Sequence, residues 1–119
     1  KEISIKQAKS QNKSYTLIHW KTGEEVVCVG SYELRVVEFL NKNKIDYRWQ
    51  SEIFEMIFKT ELGNIKTYRP DLFLIEQNLW VEIKGYFRKD AREKWDWFHE
   101  KYPNSELWDK FKLKEKGIL

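Results

Sequence analysis

Residues 69–86 read RPDLFLIEQNLWVEIKGY. Two short apolar runs, Asp71 to Ile75 and Leu79 to Lys84, stand on either side of a polar break, Glu76-Gln77-Asn78. Runs this continuous belong to central strands covered on both faces, and a link this short folds them into a hairpin. A buried hairpin should not carry charge, because an unpaired buried charge is costly. This one carries Asp71, Glu82 and Lys84.

The hairpin brings those charges together. With Glu76-Gln77 at the turn centre, Asp71 lies opposite Glu82; with the turn moved by one residue, it lies opposite Lys84. In either register the facing Cβ atoms are roughly 5 Å apart. Glu82 and Lys84 are two residues apart and share a face, while Leu79, Val81 and Ile83 point to the other. Carboxylates this close repel unless something neutralises them. Mg²⁺ or Mn²⁺ suits the pair, since such an ion takes one or two carboxylates, waters and substrate phosphate. The carbonyl of Ile83 is a further candidate ligand. Lys84 is placed to orient a water or to stabilise charge on a phosphate. The chemistry so assembled is metal-assisted phosphodiester hydrolysis. The competing reading is a structural acid–lysine cluster at a strand end, which short motifs produce by chance.

The rest of the chain supplies a setting of strands and helices. Tyr15 to Trp20 and Glu25 to Val29 form a hairpin around Lys21-Thr22-Gly23-Glu24, with Gly23 at positive φ. Ser31 is the expected N-cap of a helix with Glu33 in its first turn and Leu34, Val37, Phe39 and Leu40 at helical spacing; Asn41 to Lys44 close it. Ile45 to Trp49 and Glu52 to Thr60 read as extended, Leu62-Gly63-Asn64 as a turn, and Pro70 as the entrance to the next strand. Arg88 to Tyr102 is a helix with Ala91, Trp95, Phe98 and Tyr102 along one face. Ser105 to Trp108 is a last strand, and Asp109 to Lys116 a short helix ended by Gly117. Residues 1–30 form an N-terminal tail and hairpin, and residues 31–119 a single core domain. The expected fold class is α/β, a central mixed sheet flanked by helices.

Composition narrows the class of function. The chain has 119 residues, a length suited to one domain with a modest core. Its net charge of +3 permits nucleic-acid binding without requiring it. No apolar run reaches the length of a membrane span, so no membrane is expected. One cysteine, Cys28, and two distant histidines, His19 and His99, form no disulfide, zinc or nucleophile pattern. A reducing, cytosolic setting fits this usage.

Pro70-Asp71 with Glu82-Ile83-Lys84, preceded by a helix carrying Glu33, resembles the PD-(D/E)XK nuclease superfamily, the restriction-endonuclease-like fold. The resemblance covers about residues 31 to 108. Gly30-Ser31-Tyr32-Glu33 opening a helix, then Trp49-Gln50-Ser51-Glu52, then the motif hairpin, is similar to phage and mobile-element members. These include homing endonucleases of the very-short-patch-repair type and transposase-type nuclease subunits. The resemblance implies Asp71 and Glu82 as metal ligands, Lys84 as the catalytic lysine, and Glu33 as the helix acid, with Glu38 the alternative. It implies Mg²⁺ or Mn²⁺ as cofactor, DNA as partner, and the cytoplasm of a bacterial or phage-infected cell. A homodimer or an additional DNA-binding domain would be in keeping with it. Arg88, Lys89 and Arg92 follow the motif and are candidate phosphate contacts; a solvated helix start is the plainer alternative. Trp97 lies off the helical stripe and is a stacking candidate. Glu52 is either a further acid near the site or a surface charge. A Mg²⁺-dependent endodeoxyribonuclease is the expected function; a Holliday-junction resolvase and a non-cleaving DNA-binding module of the same fold are the alternatives.

Overall fold

The hairpin at the centre of the sequence is also the centre of the fold. A computed structural model describes residues 13–56, 66–85 and 87–119. All but the last residue of the expected tail over 1–13, the end of the extended segment Glu52 to Thr60 beyond Met56, the turn at Leu62-Gly63-Asn64, and Tyr86 lie outside them. The described elements run β1 (Ser14–Ile18), β2 (Glu25–Val29), α1 (Ser31–Lys42), β3 (Tyr47–Trp49), β4 (Phe54–Met56), β5 (Lys66–Tyr68), β6 (Leu72–Leu74), β7 (Leu79–Ile83), α2 (Lys89–Lys101), β8 (Ser105–Trp108) and α3 (Lys110–Glu115).

A four-stranded sheet has the order β3-β6-β7-β8. Its first three strands are antiparallel and β8 joins β7 in parallel, as the α2 crossover requires. The two apolar runs of the sequence are therefore its two interior strands. Period-2 alternation sends their side chains into two separate cores. Leu72, Leu74, Val81 and Ile83 pack with Val36, Val37 and Leu40 of α1, Val26 and Cys28 of β2, and Leu113 of α3. Phe73 and Trp80 face the other way, onto Met56, Tyr68, and Trp95 and Phe98 of α2. The protein is thus a mixed α/β fold with a sheet covered on both faces. Two strand pairs, β1-β2 and β4-β5, lie beside it.

Two local expectations change. Ser31 is not the N-cap of α1: that position is Gly30, at φ 88°, and no side chain caps it. The turn from β2 into α1 needs a left-handed residue, which glycine adopts at little steric cost. Glu33 then reaches back from the first turn, its Oε1 accepting a hydrogen bond from Val29 N–H at 2.8 Å. The buried face of α1 is also displaced, with Val36, Val37 and Leu40 innermost and Leu34 and Phe39 only partly buried.

Phe98 is fully buried and touches the rings of Phe54, Tyr68, Trp80 and Tyr102. Removing a buried phenyl group leaves a cavity, so Phe98→Ala should lower unfolding stability by about 3–5 kcal/mol in urea titration. A loss well under 1 kcal/mol would mean that this second core is not packed as described.

Candidate active site

Register decides where the charges fall. Leu72 pairs with Val81 and Leu74 with Leu79, so the next position out sets Asp71 opposite Glu82. The alternative register, with Asp71 opposite Lys84, does not occur. Asp71 sits in the bend just before β6, and its Oδ2 accepts a hydrogen bond from Ile83 N–H at 2.7 Å. The main chain is held as well, with Gln50 N–H donating to the Asp71 carbonyl at 2.8 Å. Glu82, on β7, accepts a short hydrogen bond at Oε1 from the Tyr68 hydroxyl. Its Oε2 lies 3.7 Å from the Lys84 ammonium.

Both acids are buried, Asp71 with 9% and Glu82 with 5% of its surface exposed. Burial is the main reason that Asp71 holds its proton well above the usual carboxylate range, and the neighbouring Glu82 charge adds to it. The Ile83 N–H opposes this, and Glu33 and Lys84 act with opposite signs at longer range. Glu82 is also raised by burial, but Tyr68 and Lys84 offset part of the effect. Glu33, raised by burial and opposed by Val29 N–H and Lys84, shares this field. Glu38 is exposed and does not enter it.

A close contact brings α1 to this place. A Cβ on Gly85 would stand 2.8 Å from the ring of Tyr32. The glycine therefore lets the first turn of α1, with Tyr32 and Glu33, lie over the end of β7. Tyr32, Gly85 and Tyr68 were not among the residues the motif singles out. Only Tyr68 has a signal that could have found it: a buried carboxylate needs a donor, and this tyrosine precedes the motif aspartate by three residues.

Other candidates separate from the site. Arg88 and Lys89 are exposed, four and five residues beyond Lys84. Arg92 is already engaged, its Nε 3.3 Å from Asp96 and its guanidinium over the Phe87 ring. Glu52 is a surface charge facing Arg48 at 3.6 Å. Trp97 is partly buried against the α2 core, with the Lys101 ammonium over its ring. Cys28 is fully buried, and burial pushes its thiol up to about 12, which suits a core residue rather than a nucleophile. His19 is structural: its Nδ1 accepts from Lys21 and Thr22 N–H, so its Nε2 donates to the Tyr47 carbonyl at 2.8 Å.

No protein-family model matches the chain, and no curated protein or solved structure matches it significantly. Among the described residues, no helix is long and apolar enough to cross a membrane.

The donor set suits a hard cation. Asp71 Oδ1 and Glu82 Oε2 are the oxygens not taken by Ile83 N–H and the Tyr68 hydroxyl. No three His, Cys, Asp or Glu side chains among the described residues gather into a closed site. The available ligands are therefore two carboxylates, with backbone, water or phosphate completing the shell, as is usual for Mg²⁺.

The raised carboxyls make the metal-free protein pH-sensitive in a definite direction. Folded Asp71 and Glu82 bind protons more tightly than the unfolded chain does. Stability therefore falls as pH rises from the ordinary carboxylate range through their raised values. The melting temperature of metal-free protein should rise on acidification from neutral toward that range. Asp71→Asn, which cannot ionise but can still accept from Ile83 N–H, should flatten the profile. A wild-type profile parallel to the mutant's would remove the buried-charge argument.

Proposed function

We propose that this chain is a metal-dependent endonuclease with a restriction-endonuclease-like core, hydrolysing DNA phosphodiester bonds. The observation that carries the reading is the juxtaposition of Asp71 and Glu82, both buried at the end of the central hairpin, with the Lys84 ammonium beside Glu82. Two acids raised by their burial are costly to ionise, and a cation bound between them would relieve both.

Asp71, Glu82 and the Ile83 carbonyl are the groups that would hold Mg²⁺ or Mn²⁺. When bound, the ion supplies Lewis-acid polarisation of a phosphoryl oxygen and a more acidic water. The protein's own groups do the rest. Tyr68 fixes one oxygen of Glu82, so that the other stays aimed at the strand end. Lys84 is about one-third exposed, which leaves its ammonium able to meet a phosphate from solvent and stabilise charge gathering on it. Glu33, joined to the same field, suits the role of helix acid. Arg88 and Lys89, exposed and four and five residues beyond Lys84, are the candidate contacts for flanking phosphates.

Three outcomes check the reading. Millimolar Mn²⁺ should raise the melting temperature by preferential binding to the folded state, and Asp71→Ala should abolish that rise. Supercoiled plasmid should be cut in Mg²⁺ and not in EDTA. Lys84→Ala should slow cutting roughly a hundredfold, a loss on the order of 3 kcal/mol, while keeping the Mn²⁺ shift. Cutting by Lys84→Ala at the wild-type rate would make the lysine structural. DNA binding without cutting in either metal would favour the non-cleaving module.

A further inference from the structure

We infer that Gln50 is a substrate contact of this site, its carboxamide donating to a phosphate oxygen of the strand to be cut. The inference rests on the nuclease reading above and adds a residue that touches its substrate. Among the described residues three non-glycines have positive φ: Lys44 at 55°, Gln50 at 46° and Asn78 at 53°. Two of them have local reasons. Lys44 follows the C-cap of α1, and Asn78 lies in the turn between β6 and β7. Gln50 is at neither kind of place. It follows the last residue of the edge strand β3.

Glycine adopts this backbone at little steric cost, and glutamine does not. The backbone role of Gln50 needs no side chain. Its N–H donates to the Asp71 carbonyl at 2.8 Å, a bond that a glycine N–H would make as well. Its carboxamide has no role inside the protein either. Among the described residues it makes no hydrogen bond, although the side chain is half-buried. A strained backbone kept for a side chain without an internal partner points to a partner outside the chain.

Position and charge say which partner. The bond to Asp71 adds one rung to the β3–β6 ladder, just beyond Trp49 opposite Leu72. A rung of this kind sets the two α-carbons about 5.5 Å apart. A glutamine side chain spans that distance, so it reaches a group bound at Asp71. The charge on this face of the sheet suits an anion. Arg48 pairs with Phe73 and lays its guanidinium over that ring at 4.8 Å, so it faces the same way as Glu82 and Lys84. Its link to Glu52, at 3.6 Å between two side chains each 46% exposed, is loose. Two cations on the face of the acids favour a phosphate, and glutamine is among the side chains that donate to DNA phosphates.

The test compares wild type with Gln50→Gly and Gln50→Met in cutting of supercoiled plasmid in Mg²⁺ and in melting with and without Mn²⁺. The glycine variant loses both strain and carboxamide; the methionine variant keeps length and strain and loses only the carboxamide. Gln50→Gly should melt no lower than wild type, because relief of the left-handed strain offsets the freedom that glycine adds to the unfolded chain. Both variants should keep the full Mn²⁺ shift. In both, kcat/KM should fall about tenfold, as for loss of one hydrogen bond to a charged group. Either variant cutting at the wild-type rate would overturn the inference and leave the nuclease reading standing. Loss of the Mn²⁺ shift in either, or a glycine variant that melts far below wild type, would make the side chain structural and overturn it too. Wild type cutting no DNA in either metal would overturn both readings.

Discussion

The pairing of Leu72 with Val81 fixes almost everything that follows from it. A slip of one residue would send the apolar sets of β6 and β7 to the wrong faces and separate Asp71 from Glu82. That slip is opposed by two cores at once, since Val81 and Leu72 fill one while Phe73 and Trp80 fill the other. The same packing that sets the register also sets the carboxylates opposite each other. Stability of the hairpin and geometry of the site are therefore one physical problem.

The site lies where that packing stops. Asp71 precedes β6 and Lys84 follows β7, so the charges sit at the strand ends rather than within the apolar layer. Burial there is deep enough to raise both acids, yet Lys84 keeps contact with solvent. Each acid has one oxygen held by the protein: Asp71 by the backbone of the facing strand, Glu82 by Tyr68 from β5. Anchoring of this kind fixes the direction of each carboxylate while leaving its second oxygen outside those two bonds.

Elements remote in sequence complete the arrangement. Gly30 turns the chain from β2 into α1 at positive φ, and Gly85 leaves room for Tyr32. Together they bring Glu33 into the field of the hairpin acids. α2 and β4-β5 cover the face that bears Glu82, and α3 packs Leu113 into the core on the other face.

Much of this was legible in the residues. The continuous apolar runs identified the interior strands, and Asp71, Glu82 and Lys84 stood out because charge in such strands has to be accounted for. The hairpin around Gly23, the stripe of Trp95 and Phe98, and the helix end at Gly117 follow from local rules of periodicity and backbone freedom. The residues also placed Asp71 near Glu82, but left two registers open, because the turn alone does not say which residue is its centre. Both keep every side chain on its own face, so face patterning cannot separate them, and the folded pairing of Leu72 with Val81 settles it. Tyr68 donating to Glu82 and Tyr32 resting on Gly85 join positions 14 and 53 residues apart, and no local pattern encodes such a meeting. The engagement of Arg92 by Asp96 and the covering of Trp97 likewise depend on what folds against α2. Local rules determined which residues are strands, helices and candidate acids; long-range packing decided which of them share one site, because contact across the chain is set by the shape of the cores and not by spacing along the sequence.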